Sequence, residues 1–224
     1  MNIILQHYNG KLAGVAKDSV DNISAYAKSI GVEHKLIIGK PWKGWLSDQS
    51  QKLCFLMPEY DEYDNAVMLD CDMFTHRENK ANIFEAKGMG RHTKIQSELR
   101  EKIATRNGLL ANHAAPYWGG AIYKFDRETR IRLRSAIPTD QILGQLDRQL
   151  KDESIMHYLA WKSGLPETED TYFNGIGKGN EWDMNSFDDV SRAYIIHIRP
   201  KWTLQGPKTT KKEVLAKLVE QCVI

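Results

Sequence analysis

The stretch NAVMLDCDMF, residues 65–74, is an apolar run that ends in two aspartates with one residue between them. Residues 66–69 have the composition of a buried strand, and Asp70 and Asp72 follow directly at its end. Two carboxylates this close repel each other unless a positive group lies between them, and a divalent cation prefers oxygen ligands. The alternative is a polar turn in which Asp72 bonds to its own backbone. The stretch alone leaves both interpretations open.

Length and composition are those of an ordinary globular chain. With 224 residues, 42% of them hydrophobic and 27% charged, the chain can form one large core. The net charge of +2 gives no indication of a nucleic acid or an acidic membrane as partner. Three cysteines without metal-ligand spacing favour a reducing, cytoplasmic compartment. The N-terminus has no signal-peptide pattern, and we expect no integral membrane segment.

Before the aspartates, the hydrophobic pattern alternates between strands and helices. Strands are predicted at 2–6 and 33–38, and helices at 12–30 and 47–57, the second opened by Ser47 or Asp48 as N-cap. Strand, helix, strand, helix, strand is the start of a wound α/β sheet in which the strands run parallel.

After residue 74 the pattern is mainly helical. Helices are predicted at 94–106, 127–135, 140–162 and 210–222, strands at 120–125 and 193–198, and a long loop region at 164–190. No internal repeat or low-complexity linker divides the chain, so we predict a single domain over 1–224. Its terminal helix, within 209–224, is interpreted as exposed and either ends the domain or leads into a further one.

Polar clusters follow three of the predicted strands, at 7–10, 70–72 and 197–202. In open α/β sheets ligands bind outside the carboxyl ends of the strands, so these clusters favour a binding site. His197 could supply a third metal ligand beside the aspartates, and its alternative is a core histidine. Lys201 could neutralise a phosphate with Trp202 covering it, and the alternative for Lys201 is an ordinary solvated lysine.

In their order along the chain, the motifs resemble those of the GT-A glycosyltransferases, in particular the retaining type related to glycogenin and bacterial α-galactosyltransferases. VMLDCDMF (67–74) resembles the family's strand that ends in Asp-x-Asp, and YWGGAIYKF (117–125) resembles its strand that starts with aromatic-Asn-Ala-Gly. KDESIMHYLAW (151–161) resembles its helix that starts with Asp-Gln-Asp, and FNG (173–175) matches the Phe-Asn that follows this helix. HIRPKW (197–202) resembles its His-x-x-Gly-x-x-Lys-Pro-Trp segment. The resemblance runs from the first strand to Trp202. It implies a Rossmann-like α/β fold whose central sheet is mixed, mainly parallel and flanked by helices.

The resemblance also implies a donor site for a nucleoside diphosphate sugar, most often a UDP-sugar such as UDP-glucose, and a glycan or glycoprotein acceptor. Asp70, Asp72 and His197 would hold Mn²⁺ or Mg²⁺ against the diphosphate. The other implied donor-binding residues are His7, Tyr8, Asn9, Lys52, Cys71, Gly119, Gly120, Lys201 and Trp202, with Trp42 or Trp45 as a stacking partner for the base.

The chain departs from the family pattern in three places. Trp118 stands where the family has asparagine, Glu153 stands where glutamine is more usual, and 197–202 is shortened and lacks the glycine. A compact chain without an anchor also resembles soluble glycosyltransferase domains encoded by large algal viruses, which would place the protein in the host cytoplasm.

Asp152 and Glu153 are the acids that the resemblance places near the reacting carbon. For a retaining transfer, Glu153 could form a covalent intermediate, or Asp152 could orient the sugar while the acceptor attacks from the donor's own face. An inverting transfer would instead use one of them as general base. The resemblance favours retention. The structural alternative is a pair of helix N-terminal acids placed to suit the helix dipole.

Two other functions remain open at this point. Haloacid-dehalogenase phosphatases also carry Asp-x-Asp after an apolar strand, with a Mg²⁺-bound nucleophilic aspartate, but their motif follows the first strand and here two predicted strands precede it. A nucleotide-sugar-binding module without turnover is the second alternative, and the intact set of Asp70, Asp72 and His197 argues against it.

Overall fold

The computed structural model describes residues 1–92, 117–165, 194–198, 210–220 and 223–224. Its strands are β1 (Asn2–Tyr8), β2 (Glu33–Ile38), β3 (Asn65–Leu69), β4 (Met73–Phe74), β5 (Arg91–His92), β6 (Tyr117–Trp118), β7 (Ile122–Asp126) and β8 (Ile196–His197). The helices are α1 (Val15–Ser29), α2 (Arg127–Ser135), α3 (Asp140–Leu150), α4 (Asp152–Lys162) and α5 (Lys211–Glu220), with 3₁₀ helices at Gln49–Leu56 and Pro58–Tyr60.

The central sheet has the strand order β2-β1-β3-β7 within the described ranges. β1 pairs in parallel with both β2 and β3, whereas β7 runs antiparallel to β3. Helix α1 makes the crossover from β1 to β2, as a parallel pair requires. The prediction of a mixed, mainly parallel sheet flanked by helices is confirmed.

The central strands β1 and β3 are buried on both faces. Ile3, Leu5, Ala66 and Met68 belong to one apolar cluster, and the alternating neighbours Ile4, Val67 and Leu69 belong to a second one. The first 3₁₀ helix and α4 cover the first face, and α1 covers the second. Burial on both faces explains why the strand at 65–69 reads as a continuous apolar run rather than as an alternating pattern.

A third apolar cluster joins α5 to the short strands β4 and β8. It contains Phe74, Ile196, Ile198, Val214, Leu215 and Leu218. Because β4 directly follows Asp72, this cluster fixes the first turn of α5 beside the two aspartates. Within the residues that the structure covers, no helix is both long enough and apolar enough to cross a bilayer.

The structure corrects several predicted elements. The helix predicted at 47–57 is a 3₁₀ helix over Gln49–Leu56, which ends where Pro58 restricts Met57 to an extended conformation. The helix predicted at 140–162 is two helices, because Lys151 has a left-handed backbone with φ of 58°. β1 continues through His7 and Tyr8, predicted as loop, because both residues still pair with β2.

Other predicted elements differ at their ends or fall outside the described residues. The helix predicted at 12–30 is shorter at both ends, at Val15–Ser29, and 127–135 is confirmed. The helix predicted at 210–222 begins at Lys211 and is described as far as Glu220, and residues 221–222 lie outside the described ranges. The strand predicted at 120–125 is β7, and β8 lies within the predicted 193–198. The predicted helix at 94–106, nearly all of the loop region at 164–190, and Lys201 and Trp202 lie outside the described residues.

Candidate functional site

A cleft of about 550 Å³ opens at the carboxyl ends of β1 and β3. Its walls are formed by His7, Tyr8, Asn9, Ala13, Val15, Ala16, Asp48, Gln49, Lys52, Asp70, Cys71, Asp72 and Lys211. The polar residues predicted at the ends of the first and third strands therefore lie in one cleft, as expected for an open α/β sheet.

The turn that carries the two aspartates is held by side chains from neighbouring elements. Gln6 Nε2 donates to the Asp70 carbonyl at 3.2 Å and to Ser19 Oγ at 3.0 Å. Ser19 Oγ in turn donates to the Met73 carbonyl at 2.6 Å, and Met73 N–H donates to the Asp70 carbonyl at 3.2 Å. Because β1 and α1 secure both ends of the turn, the positions of Asp70 and Asp72 are fixed relative to each other.

His197 reaches the aspartates from a distant part of the chain. It lies opposite Met73 in the antiparallel pair β4–β8, and Ile198 N–H donates to the Asp72 carbonyl at 3.0 Å. His197 Nε2 is 3.4 Å from Asp72 Oδ1, and Asp70, Asp72 and His197 each offer a ligand atom within 4.8 Å of the others. The structure thus brings together the three residues predicted as metal ligands.

These three side chains fit a divalent cation. Asp72 Oδ1 is buried and accepts no hydrogen bond from any residue that the structure describes, so a lone pair is left for a ligand. Two carboxylates with one imidazole are donors that suit Mn²⁺ or Mg²⁺.

Lys211, at the start of α5, forms an ion pair with Asp72 Oδ2. Burial alone would raise the pKa of Asp72, but the contacts with His197 and Lys211 outweigh it and lower that pKa well below its usual value. The sequence interpretation missed Lys211, since it treated 209–224 as an exposed helix. A basic residue at the start of an amphipathic helix carries no signal that it will meet an aspartate from the third strand.

Lys52 lies buried beneath Asp70. Its ammonium group contacts Asp70 Oδ1, donates to the Gly120 carbonyl at 2.8 Å and lies 3.4 Å from Asp152 Oδ2. Burial disfavours the charged form, but Asp152 and Asp70 outweigh this and raise the pKa of Lys52 above its usual value. Lys52 is therefore a permanent positive charge that joins the aspartate turn to the start of α4.

Asp152 and Glu153 lie against Gly120. Asp152 is 4% exposed and accepts a hydrogen bond from Tyr123 at 2.8 Å, while Glu153 Oε1 accepts one from Gly120 N–H at 2.8 Å. Burial raises the pKa of Asp152 to about 6, although Lys52 opposes the shift. Tyr123, which the sequence interpretation did not single out, holds Asp152 in place. Gly119 is buried beside Gly120 in the turn between β6 and β7.

Among the other residues predicted to bind the donor or its base, His7 and Cys71 line the cleft, whereas Trp42 lies in the core. His7 Nε2 lies 2.6 Å from the Gly39 carbonyl, and burial lowers the pKa of His7. Cys71 donates to the His7 carbonyl at 3.3 Å, and burial raises the pKa of Cys71 to about 12. The prediction that Trp42 stacks on the base is wrong, because the Trp42 side chain is 4% exposed and belongs to the core.

Trp45 and Trp118 differ in their exposure. Trp45 is 52% exposed, and its ring packs near Gly144 of α3. Trp118, which replaces the family's asparagine, is fully buried and packs against Phe125 with ring centroids 5.7 Å apart. The indole of Trp118 is therefore a core group, and only the backbone near it can face a ligand.

Solved structures resemble this one over almost its whole length. A glycosyltransferase involved in the glycosylation of the major capsid of PBCV-1 matches with a TM-score of 0.58 and 11% sequence identity, over 98% of each chain. An active-site mutant of LgtC matches with a TM-score of 0.51 and 10% identity, over 99% of this chain and 96% of that chain. No protein-family profile and no curated protein matches the sequence.

The chain has the GT-A fold. This likeness confirms the predicted fold class. The phosphatase alternative gains no support, because Asp70 follows the third strand along the chain rather than the first.

Proposed function

We propose that the protein is a metal-dependent glycosyltransferase, which moves a sugar from a nucleoside diphosphate sugar to a hydroxyl group of a glycan or glycoprotein. The observation that carries the proposal is the meeting of Asp70, Asp72 and His197 at a cleft that also contains Lys52. A UDP-sugar such as UDP-glucose is the proposed donor, and retention is the proposed stereochemistry. The cytoplasmic location stays a prediction.

Asp70, Asp72 and His197 would hold the divalent cation, Mn²⁺ or Mg²⁺. When bound, such a cation supplies Lewis-acid stabilisation of the negative charge on the departing diphosphate. His197 can serve as a neutral imidazole ligand, and its position is fixed by the pairing of β8 with β4.

Lys211 lines the cleft, and Lys52 would add fixed positive charge at its diphosphate end. Preorganised charge of this kind is usually the largest contribution to catalysis, because it needs no reorganisation during the reaction. Asp152 acts here as a positioning residue, since its buried carboxylate contacts Lys52 and Tyr123. Lys201 and Trp202 remain proposed contacts to the diphosphate.

The transferred sugar would lie near Gly119 and Gly120, beside Glu153, which is more exposed than Asp152. The bond between the anomeric carbon and the diphosphate oxygen breaks, and a bond from that carbon to the acceptor oxygen forms. The acceptor proton passes to the departing diphosphate when attack occurs on the donor's own face. A covalent route would use the Glu153 carboxylate as nucleophile instead. His7, Tyr8 and Asn9 would contact the base and ribose at the end of β1.

Calorimetric titration of UDP into the protein, with and without Mn²⁺, tests the proposal. We expect binding that requires the metal and is lost in Asp72→Ala, while Asp21→Ala, which removes an exposed carboxylate of α1, binds as the native protein does. A panel of UDP-sugars tested for hydrolysis then identifies the sugar. Absence of UDP binding under every metal condition would refute a UDP-sugar donor. Metal-dependent binding without hydrolysis or transfer of any sugar would instead indicate a binding module.

A further inference from the structure

We propose that Lys211 is an internal cation that occupies Asp72 when no metal is bound, competes with the incoming divalent cation and then moves to the diphosphate of the donor. The inference rests on the proposed function, since it assigns a residue to the same site. Its starting observation is the ion pair between Lys211 Nζ and Asp72 Oδ2.

The two partners differ sharply in exposure. The Asp72 side chain is 11% exposed, whereas the Lys211 side chain is 44% exposed. A carboxylate this buried is costly unless a positive group compensates it, so removal of every cation from Asp72 would be unfavourable. Lys211 reaches the carboxylate from the solvent side and therefore supplies the charge without closing the site.

The backbone at Lys211 is fixed, while its side chain is not. Thr210 N–H donates to Glu213 Oε2 at 2.6 Å, and Glu213 N–H donates to Thr210 Oγ1 at 3.2 Å. This reciprocal pair is a capping box, and Val214 and Leu215 anchor the next turn in the apolar cluster. The four-carbon stem of Lys211 can therefore rotate away from Asp72 without any movement of α5.

The position of Lys211 is unfavourable for the helix itself. The N-terminus of a helix carries partial positive charge, and a cation in the first turn is disfavoured there. The first turn of α5 also contains Glu213, which suits the dipole. Lys211 therefore does not stabilise the N-terminus of α5. Its contact with Asp72 explains why a lysine lies at this position.

Competition follows from the shared carboxylate, because Lys211 contacts Asp72 Oδ2 while Asp72 Oδ1 is the atom available to a metal. A divalent cation bound by Asp72 places positive charge close to Lys211 Nζ, and like charges at such a distance repel. The ammonium group must then leave Asp72, and it already lines the cleft into which an anionic diphosphate would enter. Lys211 would thus oppose metal binding in the nucleotide-free protein and favour nucleotide binding in the metal-loaded protein.

The test compares Lys211→Met with Lys212→Met by calorimetric titration of Mn²⁺ without nucleotide. Lys212 is the next residue of α5 and makes no ion pair with any residue in the described ranges, so both variants lose the same charge from nearly the same place. We expect Lys211→Met to bind Mn²⁺ roughly 2- to 5-fold more tightly than the native protein, as loss of one partly exposed ion pair implies. Lys212→Met should match the native protein.

A second titration, with UDP at saturating Mn²⁺, should show weaker binding to Lys211→Met and no change in Lys212→Met. Lys211→Arg keeps the charge and should have native Mn²⁺ affinity. This variant still allows a test of the proposal if Lys211→Met does not fold. Unchanged or weaker Mn²⁺ binding in Lys211→Met, or equal tightening in both methionine variants, would overturn the proposal. Failure of the native protein to bind UDP with Mn²⁺ would refute the proposed function, whereas the nucleotide-free titration would still report on the competition.

Discussion

Gly120 lies so close to the carboxylate of Asp152 that no side chain fits between them. A Cβ atom at Gly120 would overlap Asp152 Oδ2 and lie 3.2 Å from Glu153 Oε1. Tyr123 and Lys52 hold Asp152 in place, so the carboxylate cannot yield easily. The strand start at 120 and the acidic start of α4 therefore form one rigid unit.

Replacement of Gly120 by alanine should destabilise the protein and lower donor turnover. We expect a loss of about 1–3 kcal/mol in the free energy of unfolding, which is usual for overpacking, together with slower UDP-sugar hydrolysis. Urea unfolding and a hydrolysis assay measure the two effects. Gly44→Ala is the matched control, because its Cβ would meet its nearest atoms at 4.0 Å. Equal stability of the two variants would show that Asp152 can move aside.

Lys52→Met should be among the most destabilising substitutions in the site. It leaves the carboxylates of Asp70 and Asp152 without their shared cation, and breaking a buried ion pair in this way costs about 3–5 kcal/mol. Urea unfolding of Lys52→Met and Lys17→Met provides the measurement. Lys17 pairs with Asp21 on the exposed face of α1, where solvent screens the two charges and loss of the pair costs little. A similar loss in both variants would mean that water replaces Lys52 at little cost.

Ser19→Ala should weaken Mn²⁺ binding although Ser19 touches no proposed ligand side chain. Its hydroxyl donates to the Met73 carbonyl and accepts from Gln6, and the substitution removes one hydrogen bond from each of these two groups at a cost of about 0.5–1.5 kcal/mol each. The turn that carries Asp70 and Asp72 would then hold these two carboxylates less rigidly, which should reduce the affinity for Mn²⁺. Ser29→Ala, which removes a local bond to the Tyr26 carbonyl in the same helix, is the control. Native Mn²⁺ affinity in Ser19→Ala would show that the turn is rigid without this brace.

The pair of Asp61 and Arg134 should make stability depend on acid pH. Arg134 donates to both carboxylate oxygens, at 3.0 and 2.7 Å, and this lowers the pKa of Asp61 below 3.8. A group with a lowered pKa in the folded state stabilises the protein above its unfolded pKa, and this contribution disappears as the pH falls through the folded pKa. We expect Asp61→Asn to cost about 1 kcal/mol at neutral pH and nothing at strongly acid pH.

Urea unfolding across a pH series measures this effect. In an Arg134→Met background, Asp61→Asn should have no pH-dependent effect, because the hydrogen bonds that lower the pKa of Asp61 are gone. A pH-dependent loss that persists in this background would assign the shift to another cation.

The sequence predicted those elements whose burial leaves a hydrophobic pattern in their own residues. The apolar run at 65–69 reads as a strand because both of its faces are covered, and Asp70 and Asp72 mark where that burial ends. The break at Lys151 and the 3₁₀ geometry of 49–56 have no such pattern, because they depend on how neighbouring elements pack. Trp42 reads as a loop aromatic and becomes core for the same reason.

The site residues at the ends of strands were predictable from the sequence, whereas the residue contributed by α5 was not. His197 could be expected near Asp72, since it closes the last predicted strand and Asp72 follows the third. Lys211 could not, because its position depends on the apolar cluster that attaches α5 to β4 and β8. Tyr123 was missed because a tyrosine within a strand reads as an ordinary core residue, and its hydroxyl contact with Asp152 appears only in three dimensions.

The positions of the site residues along the chain set an order in which the site can be completed during synthesis. Asp70 and Asp72 leave the ribosome with the strands that hold them, well before His197 and Lys211 are made. A nascent chain can therefore pair Asp70 with Lys52, but Asp72 lacks His197 and Lys211 until β8 and α5 dock against β4. These two partners come with the elements that also bury Phe74. Completion of the site thus depends on the docking of β8 and α5 against β4.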